Sequence, residues 1–134
     1  MSSIDQKTNI KTLLALNNAA ITSDATTVGN EIDTAGFESA TFNIQLGVRT
    51  DGTYTPAITE CDTSGGTFTA VADADLIGTE AEAVLNASNT VSRIGYVGHK
   101  RYIKLSIVSA STSSGVAAAS AIIILGHPRY APVA

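Results

Sequence analysis

Residues 92–107, SRIGYVGHKRYIKLSI, gather Arg93, Lys100, Arg101 and Lys104 around Tyr96 and Tyr102 without a single carboxylate. Cations interleaved with aromatic rings are what a surface needs to grip phosphates and stack on bases. The stretch contains Gly95-Tyr96-Val97-Gly98, a GxxG spacing that clamps a nucleic-acid backbone in one module. That loop works between two helices, whereas strand patterns flank it here. No Gly-rich turn leads from a strand into Lys-Ser or Lys-Thr, so a phosphate loop is not indicated either. The 134-residue chain has a formal net charge of −4, and a negative body repels a polyanion. The expectation is therefore no nucleic-acid partner. Exposed Lys100, Arg101 and Lys104 should instead meet protein carboxylates, in the same fold, a sister subunit or a larger assembly.

Other candidate chemistry fails on spacing. In DADLIG, Asp73 and Asp75 with Gly78 suggest a calcium loop, but its fifth and twelfth positions hold Ile77 and Val84, which supply no side-chain oxygen. Cys61, the single cysteine, lies between Glu60 and Asp62 and has no cation nearby in sequence to lower its pKa. It cannot form an internal disulfide, and no oxidising compartment is implied. His99 and His127 are isolated from each other and from any cysteine at zinc-ligand spacing. A Ser–His–Asp triad can assemble from distant positions, but no GxSxG elbow is present. The absence of Trp weakens a sugar-binding module. No cofactor, no metal and no enzymatic activity are expected.

Strands must position these residues. ESATFNIQLGV (38–48) alternates with period two, YTPAITEC (54–61) is its return strand, and RYIKLSIVSA (101–110) alternates in the same way. Asp51-Gly52 reads as a hairpin turn between the first two, with Pro56 pushing the second toward a sheet edge. TFTAVA (67–72) and TVSRIGYVG (90–98) are further strands, the latter joined to 101–110 by a tight turn at Gly98-His99-Lys100. VAAASAIIILG (116–126) is apolar on both alternating faces and reads as a strand covered on both sides. TTVGNEID (26–33) is an early strand, TLLALNNAAI (12–21) a strand or part of an arm, and 73–90 an irregular crossover. The expected core comprises Phe42, Ile44, Leu46, Phe68, Ile94, Ile103, Leu105, Ile107, Ile122 and Ile124.

Seven or eight short strands at turn-punctuated spacing predict an all-β fold, an antiparallel β-sandwich or jelly-roll-like barrel. The domain is placed at 13–126, with an N-terminal arm at 1–12 and an extended, proline-stiffened tail at 127–134. No secretory leader is read at the N-terminus and no apolar run is long enough to span a membrane, so no membrane partner and synthesis in the cytoplasm are expected. Charge is blocky. Residues 1–89 hold three basic and all twelve acidic groups, a balance of −9, and residues 90–134 hold five basic groups and no acid, a balance of +5. Such a split marks interacting faces, or halves that neutralise one another inside one fold.

The segments FTAVADADLIGT, RIGYVGHKRYIKLSI and AIIILGHPRYAPV together resemble small tailed-bacteriophage structural proteins encoded near the major capsid protein. The resemblance covers roughly residues 26–133 and rests on a GYxGxKRY turn-strand and an LGxPRxxP tail. It implies a virion protein on the capsid surface, a decoration or cement protein whose partners are the major capsid protein and copies of itself as a homo-oligomer. Tail-tube or head-completion duty is the alternative within the virion, and a host-surface carbohydrate-binding module the alternative outside that class. It carries over no catalytic residue. Together with the charge pattern it nominates Lys100, Arg101, Lys104, Arg129 and Tyr130 as protein-interaction residues.

Overall fold

The computed structural model describes residues 6–130, which form two packed antiparallel sheets and no α-helix among the described residues. In chain order the strands are β1 (Lys11–Ile21), β2 (Thr26–Asp33), β3 (Phe37–Leu46), β4 (Thr53–Cys61), β5 (Thr69–Ala70), β6 (Leu76–Ile77), β7 (Val91–Tyr96), β8 (Tyr102–Ala110) and β9 (Val116–Pro128). The first sheet runs β1-β9-β3-β7-β6 and the second β2-β8-β4-β5. Apart from β4–β5 and β6–β7, each strand is followed by one in the other sheet. This is the connectivity of a jelly roll, with β6 as a short addition at one edge.

That alternation corrects the hairpins expected from local turns. Asp51-Gly52 does link β3 to β4, but β3 pairs with β7 and β9 while β4 pairs with β5 and β8. The connection crosses between sheets, and so does the turn at 98–100. Gly52 supplies the positive φ of the turn, and the Asp51 carboxylate turns toward the β8–β9 loop rather than its own strands. It accepts hydrogen bonds from the Ser113 hydroxyl and from the amides of Ser113, Ser114 and Gly115. These donors hold the Asp51 carboxyl well below the usual carboxylate range, the Ser113 hydroxyl most strongly. A turn dipeptide thus bends the chain without saying which sheet receives the next strand.

The core lies between the sheets. Phe42, Ile44, Ile58, Ile103, Leu105, Ile123 and Leu125 are fully buried in it, as period-two alternation requires. Three expected core residues are not. Ile122 is 42% exposed, and Ile124 and Phe68 are half-buried. Their neighbours Ile123 and Leu125 fill the core instead, so β9 is covered on one face only. β5 is two residues rather than 67–72. The terminal boundaries shift too: Lys11 and Thr12 belong to β1, and His127 and Pro128 to β9. The remainder of the arm and tail includes residues 1–5 and 131–134, outside the described residues.

Both open edges of the sandwich are tied. On one, β1 approaches β2, where the Asn30 amide donates to the Leu14 carbonyl and to Asn17 Oδ1, both at 3.0 Å. Gly29 permits this approach, since a Cβ there would collide with the backbone carbonyls of Ala15 and Leu105. On the other, residues 79–90 bridge the sheets. Leu85 exchanges two backbone hydrogen bonds with Tyr54, Glu80 Oε1 accepts from the Ile58 amide at 2.7 Å, and the Ser92 hydroxyl donates to the Ala83 carbonyl at 3.0 Å. Pro56 falls between Tyr54 and Ile58, on the side of β4 where no strand asks for its missing N–H.

Candidate functional site

The strand alternation that buries Ile94 and Tyr96 disperses the basic stretch over three surfaces. Arg93 points out of the first sheet. Lys100 and Arg101 lie in the β7–β8 connection. Lys104 stands on the outer face of the second sheet. The connection is built over Tyr96. Its hydroxyl donates to Glu60 Oε2 at 2.7 Å and accepts from the Lys100 amide at 3.0 Å, and Gly98 leaves the room, because a Cβ there would sit 2.5 Å from that hydroxyl. Burial, then the Glu60 hydrogen bond, raise the Tyr96 pKa far above that of a free phenol.

Lys100 and Arg101 are both engaged within the chain. Lys100 Nζ meets Asp62 Oδ2 at 2.7 Å. Arg101 grips Asp33 with two parallel bonds, Nε to Oδ1 at 2.8 Å and Nη2 to Oδ2 at 2.9 Å. Arg101 hydrogen bonding holds Asp33 below the usual carboxylate range, and the Asp62 hydrogen bond raises the Lys100 pKa. Each pair joins the basic C-terminal half to the acidic N-terminal half, so part of the blocky charge is neutralised inside the fold. Both pairs are solvent-exposed and contribute little to stability.

Arg129 comes to the same end of the sandwich through its amide, which donates to the Gly36 carbonyl at 2.9 Å. Arg129, Lys100, Arg101, His99 and Glu38 line one open cavity of about 390 Å³. The Arg129 guanidinium has no ion-pair partner among the described residues, and Tyr130 beside it is 87% exposed. Four of the five nominated residues therefore converge on one end. Lys104 does not join them. Its ammonium lies 4.3 Å from the centroid of the Phe68 ring, under the β4–β5 loop that Glu31 secures through the Ser64 hydroxyl (2.7 Å) and the Gly65 amide (2.8 Å). The cation–π contact explains why Phe68 is half-buried outside the core.

The remaining candidates lie apart. Cys61 is buried with Sγ 3.7 Å from the Thr63 hydroxyl. Asp73 and Asp75 form a single 3-10 turn, and no group of three or more His, Cys, Asp or Glu is placed to hold a metal among the described residues. His127 Nδ1 lies 2.9 Å from the Ser39 hydroxyl, but no carboxylate orients the ring among the described residues, as a triad would need.

The sequence reading missed a second surface. The outward positions of the first sheet carry Leu14, Ile77, Val91 and Ile122, all exposed, among Thr41, Asn43 and Gln45. Three open grooves of about 570, 630 and 450 Å³ lie on this one face. Its signal was present in β9, whose apolar residues alternate onto both faces.

Comparison with known proteins adds distant likenesses among solved structures. No protein-family model matches the chain, and no curated protein matches it. Among solved structures it is similar to the SPBc2 prophage-derived protein YomS, at 15% identity and a TM-score of 0.47, over 87% of this chain and 92% of that one. It is also similar to a chain of infectious bursal disease virus, Gx strain, at 16% identity and a TM-score of 0.48, over 92% of this chain but only 35% of the viral one. No residue role is carried over from either.

Proposed function

We propose that this chain is a non-enzymatic structural protein of a tailed-phage particle, a decoration or cement protein that docks on the head shell. The sequence resemblance points to the virion. The observation that carries the docking is the end where β9 meets the β7–β8 connection, with an Arg129 that has no ion-pair partner among the described residues next to a Tyr130 that is 87% exposed. Tyr and Arg are the residues that dominate binding energy when a partner encloses them. Arg129 can fork onto a shell carboxylate, while Tyr130 supplies apolar area. Lys100 and Arg101 contribute differently. Already held by Asp62 and Asp33, they shape the cavity wall rather than offer free charge. A phosphate backbone would have to displace those carboxylates, which supports a protein partner over nucleic acid.

The test is co-sedimentation of purified protein with phage heads that lack it. Replacing Arg129 and Tyr130 together by alanine should weaken binding at least thirtyfold, about 2 kcal/mol or more for a hot-spot pair, with the unfolding midpoint unchanged. Equal binding by the variant, or no binding by the natural chain, would overturn the docking role. Retained affinity for a glycan array instead would favour a carbohydrate-binding module.

A further inference from the structure

The outer face of the β1-β9-β3-β7 sheet differs from the rest of the molecule in charge. These four strands contain one carboxylate, Glu38, which sits near the end of β3 on the alternate register to the outward residues Thr41, Asn43 and Gln45. The outward positions of β1, β9 and β7 hold no acid at all. Two charges border the face at its β7 margin, Arg93 on β7 and Glu82 in the segment 79–90 beyond it, where both line one groove. The centre is β9, where Ile122 and Ile124 face outward beside Leu14, which pairs with Ile122 in the sheet register. An apolar centre, an uncharged polar surround and an arginine at the rim are the composition of a protein interface.

We infer that this face is a self-association surface, on which a second copy of the chain packs sheet against sheet. Two features favour a second copy as occupant. The first is charge. In a chain of net charge −4, a contact between two copies that sets carboxylate against carboxylate is penalised. The β1-β9-β3 centre of this face has no outward acid, so identical molecules can meet there without opposing carboxylates, and an isologous contact uses the same patch twice. The second is area. Four strands at about 4.8 Å spacing span roughly 19 Å, and eight residue steps along β9 from Ala118 to Gly126 span roughly 26 Å. The flat footprint is then about 500 Å², before the relief of side chains and grooves is added, against roughly 800 Å² per partner in a standard interface. A twisted sheet also matches its own copy in shape, since stacked sheets pack about 10 Å apart at a small angle set by that twist.

The surface is distinct from the docking end at Arg129 and Tyr130, and its test needs no particle. Sedimentation velocity of the full chain from about 1 to 200 µM should show a monomer–dimer equilibrium. It should persist or strengthen in added salt, because apolar rather than ionic contacts hold it. Ile122→Glu places a charge at the centre of the face and should weaken the dimer at least a hundredfold. Ile122 is 42% exposed and Leu14 49% exposed, so neither Ile122→Glu nor Leu14→Glu removes a core side chain, and the monomer's melting temperature should hold for at least one of them. A chain that stays monomeric at 200 µM overturns the inference. So does a dimer that both variants form with natural affinity, or one that Arg129→Ala and Tyr130→Ala abolish while Ile122→Glu leaves it intact.

Discussion

Gly115 sits where β9 starts, with φ of +81°, and replacing it by alanine tests the closeness of β1 and β9. An alanine Cβ would collide with the Ile21 carbonyl oxygen and lie 2.8 Å from both the Ile21 carbonyl carbon and Thr22 Cα. Two costs follow. An L-residue held at positive φ costs about 1–2 kcal/mol. Relieving the collision requires the end of β1 to move off β9, partly exposing Ile21 and Val116, which are 5% and 1% exposed. Full burial of each is worth about 1.5–3 kcal/mol, so losing about half of that for the pair adds about 2 kcal/mol. Gly115→Ala should therefore cost about 3–4 kcal/mol. Gly36 is the control, because its φ is +89° and a Cβ there meets nothing within 4 Å. Gly36→Ala should carry the conformational cost alone, about 1–2 kcal/mol. Urea unfolding followed by far-UV circular dichroism reads the difference. With a slope of about 1–3 kcal/mol per molar urea, the two midpoints should separate by about 1 M. Equal midpoints for the two variants would mean that β1 does not approach Gly115 as described, and the packing argument would fail.

Leu105 is fully buried at the sheet interface, and Leu105→Ala should destabilise by about 2–5 kcal/mol, measured by the same urea titration. Asp51→Asn should lower stability at neutral pH. Because the folded-state pKa of Asp51 is depressed, its contribution is present above the unfolded value of about 3.9 and fades as pH falls through the folded one, so the gap between variant and natural chain should close in acid. A gap that does not change with pH would reject Asp51 as the loop anchor. Tyr96 is perturbed in the opposite sense, with its pKa raised, so its stabilisation is complete below about pH 10 and declines as pH rises beyond that. Tyr96→Phe should cost about 1.5–3 kcal/mol at neutral pH, through the lost hydrogen bond to the Glu60 carboxylate, and should flatten the alkaline decline in melting temperature.

Sequence pattern located most of the strands and most of the core, though not the two-residue β6, because burial on one face imposes period two, which needs no knowledge of partners. Phe42, Ile44, Leu46, Ile103, Leu105 and Ile107 follow it and are buried. Partners were not legible. Asp51-Gly52 bends the chain equally well within a sheet or between sheets, and the deciding contact, Asp51 to residues 113–115, lies more than sixty residues away. Clustering in sequence also misleads for charge. Arg93 and Lys104 are eleven positions apart yet project from opposite sheets, whereas Lys100 and Arg101 meet Arg129 only because β9 returns to the β7–β8 connection. At β9 the pattern was ambiguous for a physical reason. Apolar residues on both faces demand cover on both, and the chain itself covers one.

A surface at the middle of β9 and another beyond its end are separated by about 20 Å or more along the strand, from Ile122 to Arg129. At that distance, substitutions at the two places should act independently on folding stability. Their effects on particle binding need not be independent, and the difference reports the symmetry of the pair. A two-fold axis parallel to the strands puts both docking ends on the same side of a face-to-face dimer. The second end then binds the shell from an effective concentration in the millimolar range, and apparent affinity rises by about 10²–10⁴ without any new contact. An axis lying across the strands turns the two ends in opposite directions and gives no such gain on one shell. Under the first arrangement, Ile122→Glu should weaken co-sedimentation with heads about a hundredfold although Ile122 touches only its own copy. Under the second it should leave binding per chain unchanged. A weakening of that size that persists in chains too dilute to dimerise would show that Ile122 contacts the shell directly, and the self-association reading of the face would be wrong.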